Sequence, residues 1–188
     1  MIVPKSIDVY LVRHGEASVP WSQAKDAGLS SIGLQQAESV ASELAELNSL
    51  QLISSPLLRA QETAIPLGRR WDIPTQIDER FREVPLASNL EQRKAWLVDV
   101  MSSHWHEVNA NIAEWRNAAW EALLNIEQSS VIFTHFMLIN AMVTCATKDE
   151  RLVCFEPDYV SVTHLRIVAN GECELVSIGN SIDPPMNF

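Results

Sequence analysis

Positive charge is scarce in this chain: 14 Lys and Arg stand against 24 Asp and Glu, a net charge of −10 over 188 residues. Such a surface repels nucleic acid and anionic membranes, which argues against both as partners. It also repels small anions at long range, so any phosphate site needs a local cluster of cations. Cysteine is scarce too. Cys145, Cys154 and Cys173 are an odd number without CxxC spacing, which speaks against a disulfide framework or a zinc site and for reduced thiols. No apolar run approaches a bilayer span, since the stretch 131–146 is broken by Thr134, His135 and Asn140. Residues 1–5 hold no apolar leader core. A soluble, cytoplasmic protein is the expectation.

What is present is an ordinary globular composition, 47% apolar, in a chain long enough for one domain with a proper core. Residues 7–12 are rich in β-branched and aromatic side chains and read as a buried strand ending at Arg13-His14-Gly15. Leu34, Ala37, Val40, Ala41, Leu44 and Leu47 recur at helical spacing. A short strand at 50–53 leads to Ser54-Ser55-Pro56, where Ser55 suits a helix N-cap and Pro56 the first turn, with a kink expected at Pro66. An extended piece follows at 75–77, helices over 89–128, a buried strand at 131–134 and a helix at 137–147. Two alternating runs, 161–168 and 174–178, flank the hairpin signal Asn170-Gly171. Strands alternating with helices indicate an α/β sandwich with a largely parallel sheet. The block 85–128, between two strands, is the candidate insertion in this single domain.

In open α/β sheets, ligands bind beyond the carboxyl ends of the strands. Arg13 and His14 end the first strand, Arg59 lies just after the second, and His135 ends the strand that begins at Val131. Three distant segments thus bring basic groups to one sheet edge. The helix after Pro56 is expected to add free N–H groups and the positive end of its dipole. His104 and His106 lack a spaced third ligand, so no metal is implied.

Leu11-Val12-Arg13-His14-Gly15-Glu16 resembles the RHGE signature of the histidine phosphatase superfamily, the phosphoglycerate-mutase-like proteins. The resemblance runs on in order through Leu29-Ser30-Ser31-Ile32-Gly33-Leu34, Ser54-Ser55-Pro56-Leu57-Leu58-Arg59, Phe81-Arg82-Glu83 and Val131-Ile132-Phe133-Thr134-His135. It covers nearly the whole chain and implies a three-layer α/β/α sandwich with a mostly parallel central sheet. It also implies a cofactor-free, metal-independent phosphatase acting on a small phosphorylated substrate. His14 would attack phosphorus and form a phosphohistidine that water hydrolyses. Arg13, Arg59 and His135 would hold the phosphoryl oxygens, and Gly15 would let the loop pack close behind His14. Glu83 would protonate the leaving oxygen and then activate water, with Glu16 the alternative acid.

The chain departs from the family pattern in three places. Phe136 follows the second histidine where a small residue is common, close enough to shape the substrate pocket. Val84-Pro85-Leu86-Ala87 replaces a glycine-containing stretch, and Pro20 stands where the mutases typically carry asparagine. Pro20 and the acidic balance of 85–128 favour a hydrolase over a mutase. A non-catalytic module that binds phosphorylated ligands is the third reading. Four of six tryptophans, Trp96, Trp105, Trp115 and Trp120, fall in the insertion. It is therefore expected to form a small helical cap favouring neutral or apolar alcohols, with Trp96 and Trp120 as pocket-wall candidates and Trp105 and Trp115 in a packing stripe. A homodimer is left open.

Overall fold

The computed structural model describes residues 6–20, 24, 26–85 and 99–182. Six strands form one sheet in the order β3-β2-β4-β1-β5-β6. β1 (Ile7–Arg13), β2 (Gln51–Ser54), β3 (Thr75–Ile77) and β4 (Ser130–Thr134) run parallel, and β5 (Val162–Ile167) and β6 (Cys173–Ser177) are antiparallel additions at one edge. Four described helices cover the faces: α1 (Ser31–Leu44), α2 (Leu58–Trp71), α3 (Ala110–Leu124) and α4 (Phe136–Thr147).

The middles of the central strands, Leu11-Val12, Leu52-Ile53 and Val131-Ile132-Phe133, are apolar because both of their faces are covered. Successive side chains point to opposite faces, which divides the core in two. Val12, Leu52, Val131 and Phe133 pack with Val40, Ala41, Leu44, Ala60, Ala64 and Leu67 of α1 and α2. Val9, Leu11, Ile53 and Ile132 pack with α3 and α4 on the other side. This is the three-layer sandwich. Among the described residues, no helix is long and apolar enough to cross a membrane.

Some local expectations are corrected. Leu34 shares the helical spacing of the apolar residues of α1 but is 53% exposed. The buried stripe is instead Gly33, Ala37, Val40, Ala41 and Leu44. Ser30 caps α1, its hydroxyl accepting from Gly33 N at 3.0 Å. α2 starts later than the Ser55-Pro56 signal suggests. Its N-cap is Leu57, Ser55 Oγ accepts from Leu57 N at 3.2 Å, and Asp26 Oδ1 accepts from Leu58 N at 2.8 Å. The helix then continues through Pro66 to Trp71.

Within 85–128, residues 86–98, Trp96 among them, lie outside the described residues. α3 packs as a layer helix beside α4, with Ile112, Trp115 and Ala119 buried. Trp105, Val108 and Trp120 pack, partly buried, against the same cluster.

Candidate active site

The parallel register sets Arg13 beside Thr134, and Ser54 beside Phe133. The residues just beyond these strands therefore meet: His14 N donates to Thr134 O at 2.9 Å, and Ser55 N to Phe133 O at 2.9 Å. Arg13, His14, Arg59 and His135 are all buried here, within 8% exposure.

The hydrogen bonds assign both imidazole tautomers. His14 Nδ1 lies 2.7 Å from the Gly15 carbonyl, which can only accept, so the proton sits on Nδ1. Nε2 then carries the lone pair, and it accepts from Arg59 Nε at 3.0 Å. Arg59 NH2 also lies 3.2 Å from His135 Nδ1, which must accept, so His135 Nε2 donates to Ser55 Oγ at 2.6 Å. Burial, and after it the charge of Arg59, pushes both imidazoles well below their usual range. Both rings are neutral at pH 7, and the two arginines carry the charge.

Arg13 is held differently. Its NH1 donates to Pro157 O at 2.8 Å, and its guanidinium lies 4.2 Å from the Tyr159 ring centroid and 5.4 Å from that of Phe136. Its buried Nε has no protein partner. Buried donors are rarely left open, and an anion's oxygen would satisfy this one.

The RHGE turn is fixed from behind. Gly15 N donates to Thr63 Oγ1 at 3.0 Å, and that hydroxyl donates to Arg59 O at 2.6 Å, tying the loop after His14 to α2. A Cβ on Gly15 would stand 2.8 Å from Gly33 O, and one on Gly33 only 2.1 Å from Glu16 O. The loop and the start of α1 cross without room for a side chain. Glu16 turns to this junction, its Oε1 accepting from Ser30 Oγ at 2.6 Å.

Glu83 sits half-buried at the cavity wall. A 3-10 turn, Glu79–Phe81, precedes it. Thr134 Oγ1 donates to Phe81 O at 2.8 Å and Trp115 Nε1 to Arg82 O at 3.1 Å, so β4 and α3 fix the backbone that carries it. Burial raises its pKa above the usual 4.5, against the opposing pull of Val84 N and Arg59.

These groups line a cavity of about 450 Å³. Arg13, His14, Glu16, Arg59, Glu83 and Phe136 of the expected site line it, whereas His135 does not and instead bonds Arg59. Phe136 lies in the wall, stacked toward Arg13. Trp120, expected in the wall, is not among the lining residues. Tyr159, Met101, Met137 and Ala27 line the cavity and were missed. The turn signal Pro157-Asp158 before an aromatic residue was the one available sign of the Tyr159 wall. Two of the N–H groups at the start of α2 are taken, because Ser55 and Asp26 accept from Leu57 and Leu58. Among the described residues, no three His, Cys, Asp or Glu side chains gather as a metal site would need.

The model of the histidine phosphatase superfamily, branch 1, matches residues 9–181. The chain belongs to that superfamily. A glucosyl-3-phosphoglycerate phosphatase of Mycolicibacterium vanbaalenii is 39% identical over 80 residues, 40% of this chain and 36% of that protein. A probable phosphoglycerate mutase of Proteus mirabilis is 34% identical over 109 residues, 54% of this chain and 48% of that one. The matches thus span about a third to a half of these curated relatives. A solved mycobacterial glucosyl-3-phosphoglycerate phosphatase superposes with a TM-score of 0.74 at 22% identity, covering 94% of this chain and 100% of its own.

Proposed function

We propose that the protein hydrolyses phosphate monoesters through a phosphohistidine on His14, without a metal. The observation that carries this reading is the fixed tautomer of His14, which presents the Nε2 lone pair to Arg59 at the cavity. When an ester enters, its phosphoryl oxygens take the donors of Arg59 and the open Nε of Arg13. Nε2 attacks phosphorus as the P–O bond to the alcohol breaks, and Glu83 gives its proton to the departing oxygen. The Nδ1–H bond to Gly15 O steadies the positive ring that results. Glu83, now a carboxylate, takes a proton from water as the new P–O bond forms and the P–N bond breaks, which restores neutral His14. The raised pKa of Glu83 suits a group that must start protonated.

The substrate is a small phosphorylated molecule, and the block 85–128 serves as a cap, a reading supported by Met101, which lines the cavity. Three free cysteines suit a cytoplasmic location. A mutase is the second reading, favoured by the named relative of Proteus mirabilis. Hydrolysis of phosphate monoesters should persist in EDTA, and an acid-labile, base-stable phosphoryl group should map to His14 and vanish in His14→Ala. Activity lost to EDTA and restored by a divalent ion refutes the proposal. Transfer to a second hydroxyl with a bisphosphate primer, in place of free phosphate, would select the mutase.

A further inference from the structure

Two arginines, Arg13 and Arg59, match the two negative charges of a phosphate monoester, and the neighbouring histidines are neutral. The rest of the cavity is built otherwise. Ala17, Val19, Pro20 and Ala27 come from the loop after the nucleophile, Val84 follows Glu83, and Met101 and Met137 face them. Its other ionisable lining groups, among the described residues, include the carboxyls of Glu16 and Glu83. A carboxylate on the alcohol would leave water for an apolar wall and find there no described cation beyond the two engaged by phosphate. An uncharged ring or branched chain would gain by burial, and methionine thioethers adapt well to aromatic faces.

We propose that the cavity selects esters of uncharged, apolar alcohols, aryl or branched alkyl, and rejects alcohols that carry a second anion. This rests on the phosphatase reading of the same site. The test compares benzyl phosphate with 4-carboxybenzyl phosphate, whose leaving oxygens have the same chemistry, and adds 3-phosphoglycerate. Benzyl phosphate should show a kcat/KM at least tenfold above both. Val19, 36% exposed, tolerates a longer side chain, and Val19→Arg should narrow the ratio severalfold by improving the carboxylated ester. The same comparison is made as Kd on His14→Ala by titration calorimetry. Absent turnover by the natural chain defeats the phosphatase reading, while the binding ratio still decides this inference. Equal or better kcat/KM for the carboxylated ester overturns it, as does equal or tighter binding of that ester when turnover is absent.

Discussion

Replacing Tyr159 by leucine should loosen the grip on phosphate without unfolding the protein. Tyr159 covers the guanidinium of Arg13 at 4.2 Å, where Arg13 is only 8% exposed. A cation–π contact so shielded from water is worth about 1–2 kcal/mol. The backbone shows how firmly the ring is placed. Val160 has φ 54°, a left-handed conformation that β-branched residues avoid. It is held there by Val160 N donating to Arg13 O at 3.1 Å and Arg13 N to Ser161 O at 3.2 Å. Losing the ring while keeping this turn frees the guanidinium to rotate about its remaining bond to Pro157 O. At 1.4 kcal/mol per factor of ten, Tyr159→Leu should raise KM and the Ki for inorganic phosphate by about 5–30-fold. On the proposed mechanism Arg13 holds phosphoryl oxygens both before and during reaction, so kcat should change much less. Tyr159→Phe keeps the ring and should stay within about twofold. The assay is steady-state hydrolysis with phosphate inhibition, alongside a thermal melt. Equal defects in the phenylalanine and leucine variants would refute the reasoning, as would an unchanged KM in a folded Tyr159→Leu protein.

Glu83→Gln should slow alkyl esters far more than activated aryl esters, because a good leaving group needs little proton donation; equal losses would move the acid to Glu16. In the natural enzyme, alkyl-ester activity should fall as pH rises through the elevated pKa of Glu83, a limb lying above 4.5. Stability should carry the opposite mark of the histidines. His14 and His135 have folded pKa values depressed below 6.5, so the unfolded chain binds more protons and stability is lost as pH falls below 6.5. Two such groups set a slope of up to about 2.7 kcal/mol per pH unit, readable by urea titration from pH 7 to 5, and His135→Gln should flatten it by about half. Gly33→Ala should cost about 1–3 kcal/mol by overpacking, since its Cβ would meet the Glu16 carbonyl at 2.1 Å, and a wild-type melting curve would disprove the close crossing.

Strand alternation and the positions of Arg13, His14, Arg59 and His135 were legible because each belongs to a local pattern: a β-branched run ending in a basic residue, or a turn opening a helix. Their convergence followed from the rule for parallel sheets. Other features depended on which distant surfaces meet. Nothing local marks Gly33 rather than Leu34 as the buried residue of α1. That choice is made by the RHGE loop crossing the helix start, where only a glycine fits. Asp26 replaces Ser55 as the acceptor for Leu58 N through a contact 32 residues apart in sequence. Tyr159 reaches Arg13 through a turn that the chain enters after Pro157, 144 residues beyond the arginine. Such long-range contacts have no period to read. Trp115 shows both kinds, its burial foreshadowed by helical spacing and its bond to Arg82 O fixed only by the fold.

The arginines resolve the opening difficulty of a phosphate site in an acidic chain. A pocket that used protonated histidines for attraction would lose its nucleophile, because an imidazolium has no free lone pair. Burial and the charge of Arg59 keep His14 neutral, so on the proposed mechanism the residue that attracts phosphate also keeps the attacking nitrogen unprotonated. Arg59 Nε donates to that lone pair. A phosphate dianion is the stronger acceptor for a guanidinium, since it sets a full negative charge against the cation where a neutral imidazole offers only a lone pair. On the proposed mechanism, phosphate binding would draw Arg59 from nitrogen to oxygen and uncover Nε2 when a phosphorus atom is present to receive it.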